Sequence, residues 1–475
     1  MIEVKKTKII CTLGPATNNE EMVLKLAERG MNIVRLNFSH GDYEGHKANI
    51  ELVKKVAHES GYTLAIMGDT KGPEIRCGDM ENGSVEFKTG DIVNVVRDAV
   101  IGNKERFSIS VPELFDDVKV NDYLLIDDGK MRLTILANNQ AGVLKCRVEN
   151  FGVIKTRKGV NVPNVKLSMP FISEKDNNDI RFMAQQGVDF IAASFVRRAQ
   201  DVKDIKEILK DEGFPKIQVI AKIENQEGYD NLDEILQTAD GIMVARGDLG
   251  VEISTQLVPI YQKKMIAMAN EYGKPVITAT HMLESMMASP RPTRAEASDV
   301  ANAILDGSDA IMTSGETAAG AYPLEAVETM NTIAKAIEKI IPYKERLVHA
   351  KESSARTIQD SIGISVADIA LQLDEVEAIV AFTQGGSTAR RISKFRPQVP
   401  ILAVTFTEEV QRSLQAYWGV VPIFSDIQNN MHNDDELASI IAKTFGIEKG
   451  KSVIITAGYP TGEGTANMMK IVEVK

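Results

Sequence analysis

The sequence predicts an α/β protein built on a (β/α)8 barrel, and three observations carry that prediction. Short apolar runs alternate with helix-period stretches in two separated portions of the chain. Together those portions hold eight strand-helix units in about 240 residues, the length that eight such repeats need to close on themselves. Between them lies a stretch of alternating strands joined by turn dipeptides, and after them comes a shorter run of strands and helices. The expected division is 1–71 and 169–342 for the two parts of the barrel, 72–168 for a β-rich inserted domain, and 343–475 for a C-terminal α/β domain.

Taken in order, KIICTL is strand one, NNEEMVLKLAERG a helix closing on Gly30, and NIVRLNF strand two. YEGHKANIELVKKVAHESG is the next helix and TLAIMGD strand three. From Gly72 to about Ser168 no helix signal occurs, and SVEFKTGDIVNVVRD, YLLIDDGKMRLTIL and GVLKCRVENFGVI read as strands. The first pattern resumes with the helix SEKDNNDIRFMAQQG and the strand VDFIAASFV. It continues through the strands IQVIAKIEN, GIMVARGD, PVITATHML and DAIMTSGET to the helix PLEAVETMNTIAKAIEKII. A TIM barrel of this kind carries its active site at the C-terminal ends of its strands. The segment IPYKERLVHAKESSAR reads as a linker, and EAIVAF, PILAVT, VVPIF, SVIITAG and MKIVEV as the strands of the last domain.

Composition narrows the function. With 475 residues, 44% hydrophobic and 25% charged, the chain can bury a large core without disulfides or structural metal. A net charge of -11 argues against a nucleic-acid or acidic-membrane binder and leaves room for a local basic cleft. Cys11, Cys77 and Cys146 have neither metal-ligand nor disulfide spacing, which fits a reducing, cytoplasmic home. The N-terminal apolar patch is broken by Thr12 and Pro15, so neither a signal peptide nor a membrane span is expected there. No apolar run approaches the roughly 18 residues that cross a bilayer.

The residues at the strand ends are the informative ones. Strand two runs out through Arg35, Asn37 and Ser39, strand three through Asp69 and Thr70, and strand five through Lys222 and Glu224. Strand six ends with Arg246 and Asp248, strand seven with Thr280, and strand eight with Ser314 and Glu316. Side chains two apart on a strand share a face, so Arg35 with Asn37, Lys222 with Glu224, and Arg246 with Asp248 are each expected to point one way. Rim salt bridges and helix caps would account for any one pair. Burying Arg35, Asp69, Lys222, Glu224 and Asp248 together costs about several kcal/mol per ion unless ligands or metal ions compensate. Glu224 and Asp248 offer the hard oxygens that magnesium takes, and Lys222 and Arg35 can hold a phosphoryl group. No His or Cys stands as an obvious nucleophile, and positioning plus charge neutralisation is the pattern of phosphoryl transfer. Gly247 lets backbone approach a ligand closely, and the amides from Gly247 to Gly250 suit a carboxylate or phosphate.

Seven ordered motifs carry a family resemblance: NIVRLNFSHG (Asn32 to Gly41), DTKGPEIR (Asp69 to Arg76), KGVN (Lys158 to Asn161), AKIEN (Ala221 to Asn225), MVARGDLG (Met243 to Gly250), TATHMLESM (Thr278 to Met286) and SGETAAG (Ser314 to Gly320). Together they resemble the pyruvate kinases over essentially the whole chain. The resemblance implies phosphoryl transfer from phosphoenolpyruvate to ADP, with magnesium and potassium as cofactors. By similarity Lys222 stabilises the transferring phosphoryl and the enolate, Glu224 and Asp248 hold magnesium, and Arg35 binds the phosphate. Arg35, Lys222, Gly247, Asp248 and Thr280 match the family's substrate set, with Thr280 near the proton relay. Asn37, Ser39, Asp69 and Thr70 match its potassium ligands, and Asn37, His40, Arg76 and Lys158 its nucleotide contacts. The β-rich insertion would act as a lid excluding water. Ala319 stands where the family often carries Lys, and His281 where Gln is frequent.

In the last domain, FTQGGSTARRISKFRP puts Thr383, Gln384, Gly385, Gly386, Ser387 and Thr388 at a strand-to-helix turn. Such helix starts bind phosphate, although a capped Gly turn would have the same sequence. The resemblance implies an allosteric pocket for a sugar phosphate or nucleotide there, at Thr383, Gln384, Gly386, Ser387 and Thr388, covered by AGYPTGEGTAN (Ala457 to Asn467). It also implies a homotetramer. GIEKGKS (Gly446 to Ser452) is one residue short of a Walker loop and runs into a strand. His46, His58, His349 and His432 are expected at the surface, and Met265, Met268, Met282, Met286 and Met287 in the core. Two other readings stand beside phosphoryl transfer: a catalytically silent metabolite sensor, and a barrel enzyme of other chemistry on phosphoenolpyruvate or pyruvate.

Overall fold

The computed structural model describes residues 4–139, 141–426, 434–458 and 466–475. Eight parallel strands close into a barrel: Lys8–Thr12, Ile33–Asn37, Ala65–Asp69, Phe190–Ala193, Gln218–Ile223, Gly241–Ala245, Val276–Ala279 and Ala310–Thr313. Nearly every residue on these strands is buried, because side chains alternate between two apolar layers. Ile10, Ile33, Met67, Phe190, Ile220, Met243, Ile277 and Met312 fill the interior. Ile9, Val34, Ile66, Ile191, Val219, Ile242 and Ile311 face the surrounding helices. Gly68 faces outward where a Cβ would lie 1.9 Å from the Met183 sulfur, so the helix Glu174–Gln185 can seat only on a glycine there.

Between strands three and four the chain builds a seven-stranded sheet, running from Ile75–Arg76 to Gly159–Asn161, and a separate two-stranded ribbon. Its core is its own, around Phe87, Phe107, Phe115, Leu133 and Val148. The outgoing strand Ile75–Arg76 pairs antiparallel with the returning strand Gly159–Asn161. Both connections are pinned to the barrel. The Gly72 amide donates to Asp176 (3.0 Å), and the Arg197 guanidinium donates to the Leu167 and Met169 carbonyls (3.0 and 3.1 Å). The segment also holds a short helix, Leu114–Asp117, whose two buried apolar residues are too few to show a helical period in the sequence.

The last domain is a five-stranded sheet in the order Val420–Phe424, Ile401–Thr405, Val376–Phe382, Ser452–Gly458 and Ala466–Glu473, parallel except for its final strand. The expected linker is in fact largely the helix Tyr343–Ser353. Tyr343 and Leu347, one helical turn apart, are its buried positions, and Leu347 packs with Ala367 and Phe395 of the last domain. So few apolar residues among many charges hid the period. His46 also departs from expectation: it is 8% exposed, stacks on Phe38 at 4.0 Å, and places Nε2 2.8 Å from the His40 carbonyl. His58 and His349 are exposed, and His432 lies outside the described residues. Met265, Met282 and Met286 are fully buried. Gly446 and Gly450 lead into the strand Ser452–Gly458, not a helix.

Candidate active site

The C-terminal ends of strands two, three and five bring four charged groups into one buried cluster. Arg35 donates from Nε to Asp69 Oδ2 (2.6 Å) and from Nη1 to Thr12 Oγ1 (3.0 Å). Lys222 donates from Nζ to Asp69 Oδ1 (3.0 Å) and to Ser194 Oγ (2.6 Å). Its Nζ also lies 3.0 Å from Glu224 Oε1, an ion-pair contact without hydrogen-bond geometry, so that oxygen is buried with no donor. The other carboxylate oxygen of Glu224 accepts from the Phe195 amide (2.6 Å). Phe195 itself has φ +57°, a left-handed backbone that aims this amide inward.

The electrostatics follow from burial and these neighbours. Desolvation pulls the Lys222 pKa down, but the charges of Asp69 and Glu224 outweigh it and hold the ammonium above its ordinary range. Burial pushes the Glu224 carboxyl up to about 8, with Lys222 opposing and Asp248 and Asp69 reinforcing the shift. Asp69 goes the other way: its burial is overcome by Arg35 and Lys222, and its carboxyl is held below the usual range. A site with one carboxylate oxygen orphaned and one carboxyl strained upward is a site that accepts a further cation. Among the described residues no group of three His, Cys, Asp or Glu side chains forms a protein-only metal cage.

One expected strand-end pair, Arg246 with Asp248, is not a strand pair, and the expected end of strand eight is not strand either. Strand six stops at Ala245, and Arg246–Glu252 is a short helix, so Arg246 and Asp248 diverge. Arg246 donates to Asp299 (2.7 Å) and to the Thr280 carbonyl (2.7 Å), whereas Asp248 also lines the cleft between lid and barrel. Strand eight stops at Thr313, and Glu316, 1% exposed, caps the Ser314 and Leu283 amides (2.8 and 3.1 Å). A period-two argument fails wherever Gly lets the chain turn directly from strand to helix.

Above the buried cluster lie two clefts. The motif residues His40, Arg76, Lys158 and Asp248 line a space of about 590 Å³ between lid and barrel. Gly247, Asp248, Thr280 and His281 line a neighbouring space of about 630 Å³, and Asp248 and the lid's Asp128 border both. The Gly247 amide donates to Thr280 Oγ1 (2.8 Å), and Thr280 and His281 both have positive φ, +65° and +54°. Arg76 is held by Glu74 (2.6 Å), which also pairs with Lys71 (3.5 Å), and Lys158 by Asp127 (2.8 Å). Asn37 sits opposite Asp69 in the strand register and accepts the Ser39 amide (3.0 Å), while Thr70 Oγ1 accepts the Ser194 amide (3.1 Å). In the last domain Gly386 has φ +85°, the helix Ser387–Lys394 follows, and buried Thr383 Oγ1 has no partner among the described residues. Gln384 is exposed and Thr388 buried there. The stretch 459–465, most of the expected covering loop, lies outside the described residues.

Sequence reasoning missed Thr12 and Ser194, which are the exits of strands one and four. Applying the strand-end rule to all eight strands would have found both. It also missed Glu252, which accepts from the lid's Asn161 Nδ2 (2.8 Å) and for which no sequence signal existed.

Known proteins resemble this chain over nearly its whole length. The family model for the pyruvate kinase barrel domain matches residues 4–327, and that for the pyruvate kinase alpha/beta domain matches residues 360–472. A pyruvate kinase of Geobacillus stearothermophilus is 51% identical over 473 residues, covering 98% of this chain and 80% of that protein. One from Staphylococcus saprophyticus is 50% identical over the same span. A crystal structure of a pyruvate kinase from Cryptosporidium parvum superposes with a TM-score of 0.95 at 39% identity, covering 99% of this chain and 96% of that one. With its catalytic-type barrel, inserted lid and C-terminal α/β sheet all accounted for, the chain belongs to the pyruvate kinase family of phosphotransferases.

Proposed function

We infer that the strand-end site transfers the phosphoryl group of phosphoenolpyruvate to ADP, giving pyruvate and ATP. The observation that carries this is the Lys222 ammonium, buried between Asp69 and Glu224 beneath both clefts and kept charged by them. A fixed cation in a dry site stabilises negative charge that develops on a transferring phosphoryl and on the enolate left behind. Arg35, also buried, holds the phosphate in the ground state. Glu224 and Asp248 would hold magnesium, and the orphaned Glu224 oxygen fits that task. Magnesium, when bound, neutralises phosphate oxygens. Asn37, Ser39, Asp69 and Thr70 would hold potassium at the exits of strands two and three. Gly247 and Thr280 orient the substrate carboxylate, and Thr280 stands beside the enolate carbon's proton path. His40, Arg76 and Lys158, with Asn37, hold the nucleotide under the lid.

The division at 1–71, 72–168, 169–342 and 343–475 assigns binding and chemistry to the barrel, closure to the insertion and regulation to the last domain. A phosphorylated metabolite at Thr383, Gln384, Gly386, Ser387 and Thr388 would be the regulator, and the orphaned Thr383 hydroxyl supports a ligand there. A homotetramer in the cytoplasm is the setting proposed. No helix among the described residues is long and apolar enough to cross a membrane. The test is a coupled assay: purified protein with magnesium and potassium should form ATP from phosphoenolpyruvate and ADP, and no ATP would refute the reading.

A further inference from the structure

A cavity of about 340 Å³ lies away from the strand ends, where the barrel helix Val258–Tyr272, the helix Tyr343–Ser353 and the end of the helix Ser387–Lys394 meet. That is the lower part of the roughly 300–1,000 Å³ range of small-molecule sites. None of its lining residues lines the two clefts at the strand ends. Ala267, Ala350 and Phe395 give it an apolar wall.

The lining carries three cations, Arg346, Lys394 and Arg396, and three acids, Glu271, Asp306 and Glu345, and Arg346 is the lining cation with which no carboxylate among the described residues ion-pairs. Arg346 is half-buried and donates to the Leu305 carbonyl, and among the described residues no carboxylate ion-pairs with it. Arg396 is 8% exposed. Its Nη2 donates to Asn270 Oδ1 (2.5 Å), the Gly307 carbonyl (2.9 Å) and Asp309 Oδ2 (2.8 Å), while the buried Nε and Nη1 have no acceptor among the described residues. Lys394 is 3.4 Å from Asp360. Of the acids in the lining, Asp306 is engaged by Lys263 and Gln262, and Glu271 and Glu345 are exposed. His349, also exposed, completes the polar wall. Burial, and after it the neighbouring Arg396 charge, push the Arg346 pKa down to about 10, with Tyr343 and Asp306 opposing the shift.

We propose that this cavity binds a small organic anion, its carboxylate or phosphate on Arg346 and its apolar body against Ala267, Ala350 and Phe395. An occupant there touches the barrel, the connecting helix and the C-terminal domain at once, so it ties the domains together at a place separate from the Gly385–Thr388 turn. A planar guanidinium receives such a group bidentately, and a carboxylate on a compact apolar ring meets both halves of the wall.

The probes are 4-bromobenzoate and its neutral analogue 4-bromobenzamide, titrated calorimetrically into the full-length protein. Crystals soaked in the bromobenzoate locate the bromine by anomalous scattering. The expected result is one bromine in the cavity and binding of the acid at least about tenfold tighter than the amide, the scale of one charge-assisted hydrogen bond. Arg346→Met should weaken acid binding by at least about tenfold on the same scale, and Arg346→Lys by less. Because Arg346 also holds the Leu305 carbonyl, Ala350→Trp is the second variant: it keeps the cation, fills the cavity and should abolish binding. Equal binding of acid and amide, unchanged affinity in either folded variant, a bromine elsewhere, or no binding at millimolar probe would overturn the proposal.

Discussion

Replacing Lys222 with Met tests the assigned chemistry most directly, because the structure separates its effect on rate from its effect on folding. The substitution removes an ammonium that contacts Asp69, Ser194 and Glu224 but keeps most of the aliphatic volume. Orphaning a buried charge costs about 3–5 kcal/mol. Here Asp69 keeps Arg35 at 2.6 Å and Ser194 at 3.2 Å, and Glu224 keeps the Phe195 amide at 2.6 Å, so the stability loss should fall below that range. The catalytic loss should not be softened in the same way, since no other cation reaches between the Asp69 and Glu224 carboxylates. Removing one preorganised donor at developing charge costs about 10²–10³ in turnover, or about 2.7–4 kcal/mol. The Michaelis constant for phosphoenolpyruvate should change far less, because Arg35 still holds the ground-state phosphate. Pyruvate formation is followed by lactate dehydrogenase coupling at saturating magnesium, potassium and ADP, with thermal unfolding measured on the same preparation. A folded variant with turnover within about tenfold of wild type would refute the role given to Lys222, as would a loss confined to the Michaelis constant.

Three further outcomes are expected. Glu74 is an acid, paired with Arg76 and Lys71, and brings no positive charge of its own to the site, so activity should require potassium, and Glu74→Lys should partly relieve the requirement; equal wild-type activity with and without potassium at matched ionic strength would contradict this. A sugar phosphate or nucleoside monophosphate should lower the apparent Michaelis constant for phosphoenolpyruvate by about 5- to 150-fold through the last domain. Combined Ala replacement of Thr383, Ser387 and Thr388 should abolish that response without altering unactivated turnover, and an unchanged response would return the loop to a capped turn. Burial pushes the Glu252 carboxyl up to about 7, with its Asn161 bond opposing and Asp248 reinforcing the shift. A raised carboxyl makes the folded state bind more protons, so its stabilising effect is complete below the unfolded value and is lost as pH rises toward about 7. Glu252→Gln should therefore gain stability relative to wild type at pH about 8 but not at pH about 4, as read by urea denaturation, and a pH-independent difference would sink the assignment.

The amino-acid order alone determined the barrel, because eight runs of apolar residues at strand length, each followed by a helix-period segment, have few other ways to bury both faces of a parallel sheet. It determined Arg35, Asp69, Lys222 and Glu224 as a group for a related reason: charges at the ends of otherwise apolar strands stand out against their neighbours. What it could not determine is where a strand stops. Local pattern treats Arg246 to Asp248 and Ser314 to Glu316 as strand continuations, whereas packing turns both into helix starts, sending Arg246 to Asp299 and Glu316 to an amide-capping role. Ser194 stands at a strand exit that the strand-end rule reaches, but only the tertiary structure decided that its hydroxyl joins Lys222 and Asp69. The same holds for the meeting of Glu252 with Asn161, 91 residues earlier in the chain, and for the cavity beneath Arg346. These depend on contacts between segments far apart in sequence, and periodicity, a property of one segment, carries no information about which distant segment lies across from it.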